Sequence, residues 1–409
     1  MKYLVLLGDG MADYPIEALG NKTPLEAADT PNLDYIAREG TLGLIDTIPN
    51  GCTPGSDIAN LSVLGYDPLK YYSGRGPLEA ANMGASLGPN DVAFRCNLVA
   101  LSAGNDPTME DFTSGHISTS EAKEIITDLN HNLGSDRFIF YTGVGYRHLL
   151  VWKDGKDALE TMPPHDITGK PIAAFLPKGE GSLEIKKLME DSQDILYEHP
   201  VNVNRKTAGK KAATSIWLWG QGRAPKIESF AKKYQLKGGM ISAVDLLNGI
   251  GLYAGLKVIK VEGATGYIDT NYEGKAAKAL EALKELDFLF LHVEAPDEMG
   301  HEGDLEGKIK AIEDFDKKCV GNILKEMHVL APYRIMVLSD HPTPVCIRTH
   351  SSDPSPFAVF SSVKEENRRP ALSFCESSAK KTGIFISPGY LLMDAFILDW
   401  SRIVGSKLI

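Results

Sequence analysis

A series of short apolar runs, most of them separated by helical stretches, constrains this chain more than any other feature. Lys2 to Leu7, Thr214 to Trp219, Gly239 to Ser242, Leu256 to Val261, Asp287 to Val293 and Arg334 to Ser339 are rich in aliphatic and β-branched residues. Continuous apolar strands of this length belong to parallel sheets covered on both faces. The clearest helical stretch is Asp304 to Met327, where Leu305, Ile309, Ile312, Phe315, Val320, Ile323 and Met327 keep one apolar stripe. A second helix is expected over 25–39, with Pro31 inside it and Gly40 as its stop. The alternation predicts an α/β fold built on a doubly wound, mostly parallel sheet.

The pattern is interrupted between about Asp91 and Lys210. Phe94 to Leu101, Phe138 to Tyr141 and Gly145 to Trp152 read as strands and Ser118 to Leu133 as a helix, with proline- and glycine-rich loops between them. Mixed elements without a repeat predict a smaller inserted α+β domain over 91–210, leaving 1–90 and 211–409 to form the core. A chain of 409 residues with 43% hydrophobic residues has enough material for two such domains. Its formal charge of -11, without a basic run, argues against nucleic acid as a partner while leaving room for a small anion at a locally positive site. The apolar start Tyr3–Leu7 ends at Gly8 and is too short to span a bilayer, so no membrane partner and a cytoplasmic location are expected. Cys52, Cys96, Cys319, Cys346 and Cys375 are odd in number and lack C-x-x-C spacing, which points to reduced thiols that pack.

The candidate chemistry lies where the apolar runs end. Lys2–Leu7 runs into Gly8-Asp9-Gly10, Asp287–Val293 runs into a segment holding Asp297 and His301, and Arg334–Ser339 runs into Asp340-His341, with His350 soon after. In open α/β sheets the carboxyl ends of the strands form the ligand edge. If residues 294–301 are helical, Asp297 and His301 at i and i+4 share one face and can grip one ion. A lone aspartate at a strand end arises by chance, and a lone histidine is usually only hydrogen bonded. The joint pattern of Asp9, Asp297, His301, Asp340, His341 and His350 points instead to a metal site. Six ligands exceed what one catalytic ion takes, so two divalent ions are expected. Mixed carboxylate and imidazole donors suit manganese, zinc or cobalt better than magnesium.

One more stretch completes the constellation. Gly51-Cys52-Thr53-Pro54-Gly55 makes a turn, and Ser56 then opens an apolar helical run, Asp57 to Leu64. Unpaired backbone N–H groups and the helix dipole favour a phosphate there, with the serine hydroxyl beside it. A serine at a helix start is often only a cap. Beside two metal ions it becomes a candidate nucleophile. Cleaving a phosphate monoester requires lowering the barrier by on the order of 20 kcal/mol or more, which two ions can supply and a single lysine cannot.

Asp9, Ser56, Asp297-x-x-x-His301, Asp340-His341 and His350 resemble the ligand series of the alkaline phosphatase superfamily. Within it, the chain is most similar to the archaeal-type 2,3-bisphosphoglycerate-independent phosphoglycerate mutases. The likeness runs nearly end to end, through Thr30-Pro31-Asn32-Leu33-Asp34, Phe94-Arg95-Cys96-Asn97, Ser114-Gly115-His116-Ile117, Trp217-Leu218-Trp219-Gly220-Gln221-Gly222 and His292-Val293-Glu294-Ala295-Pro296-Asp297-Glu298. The resemblance implies one ion near Asp9, Ser56, Asp340 and His341, another near Asp297, His301 and His350, and a phosphoserine intermediate at Ser56. It implies interconversion of 3-phosphoglycerate and 2-phosphoglycerate without a bisphosphoglycerate cofactor, and an insert that binds substrate and closes against water. Arg95, Arg147 and Arg223, with His116, fall in matching segments and become candidates for gripping the substrate's carboxylate and phosphate. Arg75 and Lys260 are weaker candidates, and Trp217 and Trp219 read as core. Rival readings are a metal-dependent phosphatase, a phosphotransferase acting on another small alcohol such as homoserine, and a non-catalytic protein using the metals as ties. Ser56 argues against the last.

Overall fold

The computed structural model describes residues 1–363 and 373–400 and divides into two compact units. The first comprises Met1–Tyr72 and Lys226–Ile409, the second Ser73–Pro225. The second is wider than the 91–210 segment expected from texture. Its helix Arg75–Asn82 packs on the strands Val92–Leu101 and Ser215–Gly222, and Ser73 Oγ donates to the Arg223 carbonyl at 2.7 Å. Both flanks therefore belong to the second unit's own packing.

The first unit is built on an eight-stranded sheet. Its strands in chain order are β1 (Lys2–Gly8), β2 (Thr41–Ile45), β3 (Gly238–Ile241), β4 (Lys257–Val258), β5 (Phe288–Val293), β6 (Tyr333–Leu338), β7 (Ser355–Ser361) and β8 (Phe385–Ile386). They lie in the order β4-β3-β5-β1-β6-β7-β2-β8, and only β7 runs against its neighbours. The fully buried runs Leu4–Leu7, Phe288–Leu291 and Ile335–Leu338 occupy adjacent central strands. That burial on both faces is why they read as continuous apolar segments. β1, β5 and β6 are parallel, so the residues that follow them emerge at one edge.

The helices that place the site are α1 (Pro31–Glu39), α2 (Ser56–Val63), α3 (Ala295–Glu302) and α4 (Leu305–Asp314). The helix expected over 25–39 is broken into Pro24–Ala27 and α1. Pro31 disfavours a helical Thr30, which sits at φ -125°, ψ 58°. The long helix expected over 304–327 is not continuous either. After α4 it widens into π-type turns over Phe315–Val320 before resuming at Gly321–Glu326. In that wider stretch the Asp316 carboxylate accepts from Leu33 N at 2.7 Å and Asn32 Nδ2 at 2.8 Å, capping α1 from another element.

The second unit carries a five-stranded antiparallel sheet containing Val92–Leu101, Met109–Asp111, Phe138–Val144, Arg147–Trp152 and Ser215–Gly222, with helices Thr119–Leu133 and Ser182–Tyr197. The run Thr214–Trp219 was expected in the parallel core sheet. It pairs antiparallel with Val92–Leu101 instead, because buried apolar strands look alike in sequence whichever sheet they join. Trp217 and Trp219 are buried there, as expected. All five cysteines are free thiols. Among the described residues no helix is long and apolar enough to cross a membrane.

Candidate active site

Asp9 follows β1, and its side chain is completely buried. Asp340 and His341 follow β6 and are also completely buried. Asp9, Asp340 and His341 bring one potential donor atom each to within 4.8 Å of one another. Ser56 is the first residue of α2 rather than its cap. Gly55 takes the cap position, and the Ser56 Oγ lies 3.2 Å from His341 Nε2. Asn60, one turn further along α2, donates to the Ser56 carbonyl at 2.9 Å and to Asp340 Oδ2 at 2.8 Å. The serine is thereby fixed against the carboxylate after β6.

Asp297, His301 and His350 form a second group. Asp297 and His301 share a face of α3, as their spacing predicts, with His301 Nε2 3.2 Å from Asp297 Oδ2. His350 Nε2 lies 3.6 Å from Asp297 Oδ1 and 2.9 Å from His301 Nε2. His301 Nδ1 lies 3.1 Å from the Arg348 carbonyl, which can only accept. The neutral ring therefore carries its proton on Nδ1 and turns the Nε2 lone pair toward His350 and Asp297.

Both groups fit cations. The Asp9 Oδ1 is buried with no hydrogen-bond partner, although a buried carboxylate oxygen normally has one. Burial, and then the charges of Asp340, Glu294 and Asp297, push the Asp9 carboxyl well above its usual range. Burial also opposes ionisation of Asp297, but hydrogen bonds and charge from His301 and His350 hold it well below the usual carboxylate range. For His301, burial is outweighed by Asp297 and the imidazole is raised to about 9. Burial pushes the His341 imidazole down. Two imidazole nitrogens facing each other, and the carboxylates of Asp9, Asp340 and Glu294 crowded together, are the arrangement that divalent ions relieve. Asp9, Asp340, His341 and the Ser56 hydroxyl would hold one ion, and Asp297, His301 and His350 the other.

Residues 37–202 match the family model described as 2,3-bisphosphoglycerate-independent phosphoglycerate mutase. A relative from Geobacter sulfurreducens, named a probable 2,3-bisphosphoglycerate-independent phosphoglycerate mutase, is 54% identical over 398 residues, covering 97% of this chain and 100% of its own. The chain belongs to the 2,3-bisphosphoglycerate-independent phosphoglycerate mutase family. A Methanosarcina barkeri protein bearing that family name is 55% identical over 383 residues, 93% of this chain and 95% of its own. Among solved structures, a protein from Pyrococcus horikoshii superposes with a TM-score of 0.82 at 29% identity, covering 99% of this chain and 98% of its own. The cofactor-independent phosphoglycerate mutase from Thermoplasma acidophilum gives 0.64 at 27% identity, over 97% of this chain and 99% of its own.

Within this family member, Arg75, Arg95, Arg147, Arg223 and His116 belong to the second unit, whereas the weaker candidate Lys260 lies in the first. Arg95 is buried, its Nη1 3.0 Å from Glu79 Oε1 and its guanidinium 4.7 Å from the Trp219 ring. Burial pushes it down to about 10; Glu79 opposes the shift, and Arg75 and Arg147 add to it. Arg75 also approaches Glu79, at 3.5 Å, so Arg75 and Arg95 form a cationic pair around Trp219 and Glu79, and the charge of Arg147, whose guanidinium lies over the Tyr146 ring, acts on Arg95 as well. Arg223 is engaged otherwise. It clamps Asp157 through Nε at 2.8 Å and Nη2 at 3.2 Å and also holds the Gly155 carbonyl. His116 is exposed on a turn where Ser114, Gly115 and His116 all have positive φ. Arg205, itself buried, holds that turn through the Ser114 and Gly115 carbonyls.

Sequence reasoning missed His292, Glu294, Asn60 and Thr343. His292 Nε2 lies 2.8 Å from Asp9 Oδ2, and its Nδ1 3.2 Å from Ser242 Oγ. Glu294 joins Asp9 and His292 in a third group of possible ligands. Asn60 had a usable signal, since a polar side chain four residues after Ser56 shares its helix face. Thr343 had none in the local sequence, because its hydroxyl meets Asp297 across 46 residues.

Proposed function

We propose that this chain interconverts 3-phosphoglycerate and 2-phosphoglycerate without added 2,3-bisphosphoglycerate, through a phosphoserine at Ser56. The observation that carries this reading is the position of the Ser56 hydroxyl. It lies at the N-terminus of α2, 3.2 Å from His341 Nε2, and α2 is tied by Asn60 to the buried Asp340. Two divalent ions, when bound, would lower the pKa of the serine hydroxyl, hold phosphoryl oxygens and neutralise the departing oxygen. Manganese, zinc and cobalt suit the donor set better than magnesium.

The chain's own residues supply the rest. The positive end of the α2 dipole favours the transferring phosphoryl group. In the first half, the Ser56 Oγ–P bond forms as the bond from phosphorus to the 3-oxygen of glycerate breaks, and that oxygen takes a proton. In the second half, the glycerate 2-hydroxyl loses its proton and attacks the phosphoserine, regenerating Ser56. Arg75, Arg95 and Arg147 would bind the substrate's anionic groups, with Trp219 beside the guanidinium groups of Arg75 and Arg95, Glu79 fixing those two, and Arg147 set over the Tyr146 ring. Arg223 would act by holding its own loop, since its fork is filled by Asp157. His116 would serve as a polar contact or proton carrier presented by its left-handed turn. Excluding water while the phosphoserine exists falls to the second unit in this reading.

Acid quenching of the manganese-loaded protein with 3-phosphoglycerate should trap phosphate on the peptide containing Ser56. Ser56→Ala should abolish trapping and lower turnover by about four orders of magnitude or more. Full turnover by that variant would remove the serine mechanism.

A further inference from the structure

Lys308 on α4 lies outside both ligand groups and is completely buried. Its Nζ donates to Asp13 Oδ2 at 2.8 Å, to the Thr343 carbonyl at 2.8 Å and to the Ala12 carbonyl at 3.2 Å. An ammonium has three protons, and each has an acceptor here. The acceptors come from the two segments that carry Asp9 and Asp340-His341. Those segments are also joined directly: Thr343 N donates to the Ala12 carbonyl at 3.2 Å, and Val345 N donates to Asp13 Oδ2 at 3.1 Å.

Thr343 extends this seam into the site. Its hydroxyl donates to Asp297 Oδ1 and lies 3.3 Å from His341 Nδ1. One side chain thus touches a member of each ligand group while its own carbonyl is held by Lys308. A buried ion pair adds little net stability over apolar residues of the same size, so stability alone gives no reason for an ammonium here. We infer that Lys308 and Thr343 are positioning residues that form a strut setting the spacing between the two cation groups. The inference rests on the two-ion reading above. A hydroxyl that holds Asp297 and His341 in fixed relation also fixes the ions they would ligate, as outer hydrogen bonds orient metal ligands elsewhere.

The test uses the full chain titrated with Mn2+. Thr343→Val removes the hydroxyl and keeps the carbonyl that Lys308 holds. Asp13→Asn/Lys308→Met removes both buried charges together and so avoids stranding either. The readouts are ion stoichiometry and affinity, the low-temperature electron paramagnetic resonance spectrum of the loaded protein, and the unfolding temperature of the metal-free protein. The wild type should bind two ions whose spins couple. Thr343→Val should weaken at least one ion by about 10–100-fold and change the coupling, with the metal-free unfolding temperature unmoved. Thr343→Ser should restore the wild-type spectrum, and the double variant should resemble Thr343→Val. Wild-type affinities and spectrum in both Thr343→Val and the double variant overturn the strut while leaving the two-ion reading intact. A wild type that binds a single ion removes that reading, and the strut with it.

Discussion

At the scale of single residues, the site is a set of buried charges that make sense together. Asp297 is held ionised by two imidazoles despite its burial, and replacing it leaves those imidazoles facing each other without a carboxylate. Asp297→Ala should therefore lose manganese affinity by more than the roughly 10–100-fold typical of outer-shell changes, read by equilibrium dialysis, and lose turnover with it. The raised pKa of His301, about 9 without metal, has a definite sign. The protonated ring is the stable form at neutral pH and must lose its proton to bind an ion, so manganese affinity should climb with pH and level off near 9, with proton release visible in calorimetry. The metal-free fold behaves oppositely. A folded-state pKa above the unfolded value stabilises it fully below about pH 6.5, and that contribution fades as pH rises through about 9. Asp9, Asp297, His301, Asp340, His341 and His350 were legible at this scale because strand-end position and i, i+4 spacing are properties of local sequence. His292 and Thr343 were not, because what defines them is contact with residues hundreds or tens of positions away.

At the scale of elements, the three central parallel strands do the placing, and the helices hold what the strands deliver. Phe290 is fully buried in β5, paired with Val5 on one side and Met240 on the other. Phe290→Ala should cost about 3–5 kcal/mol, measured by urea unfolding. Gly300 on α3 has a sharper role, since a methyl group there would collide with the Thr343 carbonyl. Gly300→Ala should push α3, and His301 with it, away from the segment after β6, lowering both manganese affinity and unfolding temperature. The parallel strands were readable because burial on both faces leaves continuous apolar runs. The same signal misplaced Thr214–Trp219, since the antiparallel sheet of the second unit buries its strands as deeply. The stripe expected from Leu305 to Met327 was real from Ile312 onward, with Ile312, Phe315, Val320, Ile323 and Met327 all buried, whereas Leu305 and Ile309 are only half-buried. Periodicity alone did not reveal the wider turns over Phe315–Val320.

At the scale of the whole molecule, the chain crosses between its two units at Tyr72–Ser73 and at Pro225–Lys226. All proposed metal ligands belong to one unit and all proposed substrate arginines to the other. Substrate should slow hydrogen exchange around those two crossings relative to the free, metal-loaded enzyme, and identical exchange with and without substrate would count against a closing unit. In the proposed reaction the phosphoryl group travels from one glycerate hydroxyl to the other by way of Ser56 and never reaches bulk water. Turnover of 3-phosphoglycerate in heavy-oxygen water distinguishes this route from hydrolysis. The expected product is 2-phosphoglycerate whose phosphate carries no solvent oxygen, with little free phosphate released. Rapid release of labelled inorganic phosphate would contradict it and make the enzyme a hydrolase.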